Sequence, residues 1–139
     1  MDEIEIKVRE AIKKGDIDKL DEAILELLAI EDISNYVNLL NELLLVTSHR
    51  QHQYIARTIQ DFEISSSIPF IDKVLDSKFE GIPYTGSDSD SMAKWFSWAL
   101  YCIGTEQAID VIKKHTHSED VGIRKEMRYR LGKIESEKK

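Results

Sequence analysis

Apolar residues recur along this chain at steps of three and four, the spacing of one face of an α-helix. Ile4, Val8, Ala11 and Ile12 form a first stripe, and Gly15-Asp16 ends that helix and caps the next. Ile17, Leu20, Ile24, Leu27 and Leu28 form a second. Ile33, Val37, Leu40 and Leu44 form a third, and Leu39, Leu43 and Val46 widen it as in a helix packed on two sides. Tyr54, Ile55, Ile59 and Phe62 carry a fourth. In "ISSSIPFIDKVL" a serine caps a fifth helix, Pro69 lies in its first turn, and Ile71, Val74, Leu75 and Phe79 form its buried side. The one substantial loop, "EGIPYTGSDSDS", ends in Asp88, Ser89, Asp90 and Ser91, any of which can cap a sixth helix. Met92, Trp95, Phe96, Ala99, Leu100 and Ile103 follow in the cleanest amphipathic pattern of the chain. Gly104 and Thr105 mark the next boundary, with Ala108, Val111 and Ile112 inward. After "HTHSEDVG", the thin stripe of Ile123, Met127, Leu131 and Ile134 suits a terminal helix with one face in water.

The pattern predicts an all-α protein of about seven helices, with no strand alternation and no hairpin turn. Short breaks make neighbouring helices antiparallel, which a closed bundle and an open superhelix both satisfy. Helices four and five can be laid over helices six and seven, with "SIPFIDKVL" opposite "EQAIDVIKK". The repeat of about 40 residues selects a right-handed α-α superhelix. The expected organisation is one domain over residues 1–139: N-terminal helices in 1–47, repeats in 48–134, and a frayed tail in 135–139.

Composition narrows the function. Hydrophobic residues make up 42% of the 139, enough for a core without disulfide or metal. No apolar run approaches a membrane span, and the acidic N-terminus is unlike a signal peptide. With one cysteine, Cys102, no internal disulfide forms, and a cytoplasmic location is expected. The net charge of −7 argues against nucleic acid as the direct ligand and is compatible with a basic partner or with plain solubility.

Few residues carry chemistry. His49 and His52 are three apart, as two ligands of one ion can be, but no third ligand supports them; packing between helices explains them better. His115 and His117 lie two apart in an expected loop. Asp88-Ser89-Asp90 resembles the start of a calcium loop but lacks its glycine and final glutamate. Cys102 has no adjacent His or Lys to lower its pKa and reads as a small buried side chain. No catalytic residue, metal or cofactor is expected. Trp98 falls well around the helix from the inward Trp95, so it either packs on the neighbouring repeat or stands partly exposed as a binding anchor. The loop from Glu80 to Asp90 gathers Glu80, Tyr84, Asp88 and Asp90: a surface linker, or a binding loop whose ring supplies area and whose carboxylates meet a basic partner. "IRKEMRYR" with Lys133 makes a local basic face, which Glu126 and the acidic remainder weaken.

The stretch "WFSWALYCIGTEQAIDVIKKHTHSEDVGIRKEMRYRL" resembles a HEAT repeat followed by the first helix of the next. It shares an Ala-Leu pair, an Ile-Gly-Thr turn, an "EQAIDVI" second helix and a "D-x-x-IR" start to the following helix, where Arg124 can tie one repeat to the next through Asp110 or Asp120. Residues 49–134 are similar to a bacterial group of small HEAT-like proteins, matching at His49, His52, Ile59-Gln60, Ile68 and Ile103-Gly104-Thr105. Gln53 stands where that group usually has glutamate, and Thr58-Ile59-Gln60 replaces a Leu-Leu-Gln type of run. Many such proteins look like immunity proteins, encoded beside a toxin that they bind and neutralise. The resemblance implies a non-enzymatic binding protein whose partner is a toxin domain. Acidic charge suits a basic nuclease, and the expected contacts are Asp76, Glu80, Tyr84, Asp88, Asp90 and Trp98. The alternative is a HEAT-like scaffold or adaptor in another assembly. An enzyme, such as a HEAT-type lyase or DNA-repair glycosylase, would need a basic or cofactor-binding concave surface that the sequence does not display.

Overall fold

The computed structural model describes residues 2–82 and 89–137, and of Ser89 the backbone alone. These residues are all-helical, with no strand among them. The helices are α1 (Glu3–Lys14), α2 (Ile17–Leu28), α3 (Val37–Leu44), α4 (His52–Phe62), α5 (Ile68–Asp76), α6 (Ser89–Ile103), α7 (Glu106–His115) and α8 (Val121–Glu137). The third predicted stripe divides: Ile33–Tyr36 form a 3₁₀ turn before α3.

Local chemistry places most boundaries where the sequence marks them. Asp2, Asp16, Thr105 and Asp120 each accept a hydrogen bond from the backbone N–H three residues on, which satisfies an otherwise orphaned donor. Gly15 and Gly104 have φ of 64° and 68°, the left-handed conformation that closes α1 and α6. The serine expected to cap α5 acts differently. Ser67 is buried, and its hydroxyl donates to Asn41 Oδ1 at 2.5 Å, tying α3 to the start of α5; Pro69 sits in the first turn as expected.

Two layers result. In one, α2 packs on α4, α4 on α6, and α6 on α8; in the other, α3 packs on α5 and α5 on α7. From α2 to α6, each helix therefore meets the helix two places on as well as at least one sequence neighbour, while α1 packs on α2. None of the closely packed pairs joins α1 or α2 to α7 or α8, so the array is an open stack, compatible with an α-α superhelix. The core runs through it from Leu20, Ile24 and Leu27 to Leu40, Ile55 and Ile59, then Ile71, Phe79 and Phe96.

Three residues assigned to inward stripes face water instead: Ile17, Tyr54 and Phe62 are 41%, 55% and 53% exposed. On α4 the buried line is His52, Ile55, Ala56 and Ile59. Tyr54 is turned about 100° from Ile55 by the helical step, and Phe62 ends the helix. Arg124 does not pair with Asp110 or Asp120; its guanidinium donates to the Ser118 carbonyl at 3.0 Å. Residues 135–137 belong to α8, where the Tyr101 hydroxyl donates to the Glu137 carboxylate at 2.7 Å. Among the described residues no helix is long and apolar enough to cross a membrane.

Candidate functional site

Two surfaces gather the chemistry. The first lies where α5 and α7 end and α6 and α8 begin. Asp76 is the last residue of α5 and Asp90 lies in the first turn of α6. Between α5 and Ile82 the chain passes through Lys78 (φ 54°), Phe79 (φ 64°) and Gly81 (φ 79°). Left-handed φ costs about 1–2 kcal/mol at a non-glycine residue, so packing must hold it in place. Phe79 supplies that packing, buried and stacked on Phe96 at 6.0 Å between ring centres. The strained turn holds Glu80 out to solvent. Lys78 pairs with Glu119 at 2.9 Å and Lys125 reaches Asp90 at 4.0 Å, so both loop ends share one edge.

On that edge α5 and α7 are joined by a network. Lys114 Nζ donates to Asp72 Oδ1 and to Asp76 Oδ2, both at 3.1 Å, and His115 Nε2 donates to Asp72 Oδ1 at 2.7 Å. Burial pushes the Asp72 carboxyl up, but the bonds from His115 and Lys114 outweigh it and leave its pKa below the usual value. The two carboxylates raise the Lys114 pKa. Ligand atoms of Asp72, Asp76 and His115 lie within 4.8 Å of one another, a spacing one ion can span. The Lys114 ammonium already bonds both carboxylates and acts as the cation of the cluster. His115 is thus the buried last residue of α7, not the loop residue expected, and Asp72 is its unforeseen partner.

The second surface is the outer face of α4, α6 and α8. Gln53, Tyr54, Arg57 and Gln60 of α4 face Lys94, Trp95 and Trp98 of α6 across a groove of ≈ 420 Å³. Trp98 packs against Arg130 of α8 and is also 39% exposed. One face of its ring carries the Arg130 guanidinium at 3.9 Å, and Tyr101 meets it edge-on at 5.6 Å. Arg130 is 4% exposed, sees the Tyr129 ring at 5.5 Å, and its Nε has no hydrogen-bond partner. Tyr129 is 56% exposed. The sequence shows the basic character of α8 but not that α6 would lay an indole on it.

Of the six expected contact residues, the structure places four, and these do not form one group. Asp76, Glu80 and Asp90 share the edge. Trp98 lies eight residues beyond Asp90 on α6, roughly 12 Å along its axis. Tyr84 and Asp88 fall outside the described residues.

His49 and His52 are buried and stacked at 4.0 Å between α3 and α4. His49 accepts from the Gln51 N–H at Nδ1, 2.9 Å, and Nε2 donates to the Leu43 carbonyl at 2.8 Å, so the ring is a structural link. Burial lowers both pKa values, that of His52 to about 3 with help from His49. Cys102 is half-buried, and burial raises its pKa, which disfavours the thiolate. No family model, curated protein or solved structure matches this chain.

Proposed function

We propose that this protein works by binding a partner protein, without catalysis, and that the partner is a toxin domain whose active surface it covers. The observation that carries the binding reading is the presence of large aromatics in water on fixed helices. Tyr54, Trp98 and Tyr129 stand on three adjacent helices of one layer, and Trp98 is braced from behind by Arg130. Rigid tyrosine and tryptophan anchors give contact area with little entropy to lose, and they are enriched at energetic centres of interfaces. The toxin reading adds the family resemblance and the charge. Residues 2–50 hold 12 acidic against 6 basic side chains, a field that attracts a basic nuclease and raises its on-rate. Asp76, Glu80 and Asp90 place further carboxylates at one edge. The same aromatic face serves the alternative, a scaffold in another assembly.

Co-expression with the product of the adjacent upstream gene, pull-down, and calorimetry at low and high salt test the proposal. The expected result is nanomolar binding that weakens with salt, and weaker binding after alanine substitution among Asp76, Glu80, Tyr84, Asp88, Asp90 and Trp98. Unchanged affinity in all six variants overturns the site. No complex moves the reading to the scaffold.

A further inference from the structure

We infer that the groove between α4 and α6, with the adjoining Arg130 and Tyr129 of α8, docks a short acidic segment of a partner protein: an apolar side chain between the rings, carboxylates on the cations around it. The inference rests on the protein-binding reading above, but it names a different face from the acidic edge and a segment of opposite charge.

The composition of the groove is the first argument. The chain carries 26 acidic against 19 basic residues, yet the groove lining holds two cations, Arg57 and Lys94, and no carboxylate. Lys94 is exposed and makes no ion pair among the described residues. Arg57 spends only its Nε on Asp61, at 3.3 Å. The α8 helix beside it has five basic and three acidic side chains, against the acidic excess of residues 2–50. Gln53 and Gln60 add carboxamides that can bond an extended backbone.

Arg130 is the second and independent argument. A guanidinium this deeply buried ordinarily has a carboxylate or several carbonyl acceptors. Here it has rings alone and an unmade Nε bond. Among the described residues it pairs with no carboxylate, and its charge lies directly behind the indole it supports. With a cation on one face, the Trp98 ring draws a second cation less strongly on the other, so the exposed side suits an apolar group flanked by negative charge. The length of the site limits the ligand. Asp61 and Glu63, both exposed, follow Gln60 at the end of α4 and would repel a polyanion continuing past the groove. A segment of a few residues avoids them; a nucleic-acid strand does not.

Trp95 and Trp98 are the two tryptophans of the chain and both line the groove, so intrinsic fluorescence reports its occupancy directly. The probe is a blocked heptapeptide with one phenylalanine flanked on each side by three glutamates. The controls are the same peptide with lysines and an oligothymidylate. We expect a saturable change in emission with the acidic peptide, a dissociation constant on the order of 100 μM at low salt, and weakening by about fivefold or more in Lys94→Glu. Lys94 is exposed, so that variant folds, and circular dichroism checks it. An equal response to the lysine peptide, tighter binding of oligothymidylate, or no response to the acidic peptide overturns the inference. So does light scattering that shows a dimer with the groove covered by a second copy. None of these results depends on the toxin, so failure here leaves the acidic edge and the cognate complex to be judged by their own experiment.

Discussion

The guanidinium of Arg130 lies 3.9 Å from the centre of the Trp98 ring, and of the two it is the charged group that is buried and the indole that is half in water. The pair joins α6 to α8, and each side chain shields the other. Removing either one should cost about 1–2 kcal/mol, from lost cation–π attraction and lost packing of the long stem. Because both losses concern one contact, Trp98→Ala and Arg130→Ala should not add. Urea denaturation of the two single variants and the double variant is expected to give a coupling of about 1 kcal/mol. Simple additivity would mean that the stacking does not contribute to stability.

The stacked His49–His52 pair makes the fold sensitive to acid. Both folded-state pKa values lie below 6.5, that of His52 at about 3, so the unfolded chain binds protons that the folded chain refuses. Stability fully present at neutral pH is therefore lost as pH falls below about 6.5, by up to about 1.4 kcal/mol per pH unit for each histidine. Between pH 7 and 5 the effect is separable from the carboxylates: Asp21 and Asp72 have lowered folded values and lose their contribution only from about pH 4 down. Urea midpoints at pH 7, 6 and 5 should decline steadily in the wild type, and less steeply in His52→Gln. A flat profile would show that the pair takes up protons without opening the core.

The residues that were legible in the sequence are those whose local chemistry decides their role. Asp16, Gly15, Gly104 and Thr105 act within one turn of the chain, and the boundaries they predict are found. The stripe from Met92 to Ile103 is inward almost throughout because α6 is covered by α4, α7 and α8. What failed depended on which helix comes alongside. Periodicity cannot tell that α4 turns Tyr54 to water, because a ring at that spacing reads as core until the neighbour is known. Nor can it pair Asp72 with His115, or Trp98 with Arg130, across 43 and 32 positions. Of the contact residues expected from the sequence, Asp76, Glu80 and Asp90 lie at one edge and Trp98 stands apart on the outer face, a grouping that depends on helix packing and not on periodicity.

Ser67 shows the same limit in energetic form. Its position before α5 reads as a cap, yet its hydroxyl donates to Asn41 Oδ1, while the Asn41 amide donates to Ser66 Oγ at 3.2 Å. Asn41 and Ser67 are buried, so breaking the link leaves an unpaired polar group away from water. Ser67→Ala should therefore cost about 1–3 kcal/mol, more than loss of an exposed cap, and Asn41→Leu in the Ser67→Ala background should restore part of it. Thermal unfolding of the wild type and these two variants decides this. A loss of a few tenths of a kcal/mol for Ser67→Ala would return the residue to an ordinary capping role.

Lys114 is the internal cation of the α5–α7 edge, and its removal should change what the edge can bind. In the wild type its ammonium bonds Asp72 and Asp76, whose oxygens would otherwise face each other with His115 Nε2 close by. Lys114→Ala leaves two carboxylates and one imidazole within reach of a single ion, with solvent free to complete the shell. Three such ligands suit zinc, and water supplies the fourth position of a tetrahedron. The variant without metal should be less stable than the wild type, because two like charges lose their counterion. Added zinc should then raise its unfolding midpoint by about 2 °C or more through preferential binding to the folded state. The wild type should respond less, because zinc must displace an ammonium that is already hydrogen-bonded. Asp72→Asn combined with Lys114→Ala removes one ligand and should abolish the zinc response. If the wild type and Lys114→Ala shift equally with zinc, the metal binds elsewhere and Lys114 does not guard this cluster.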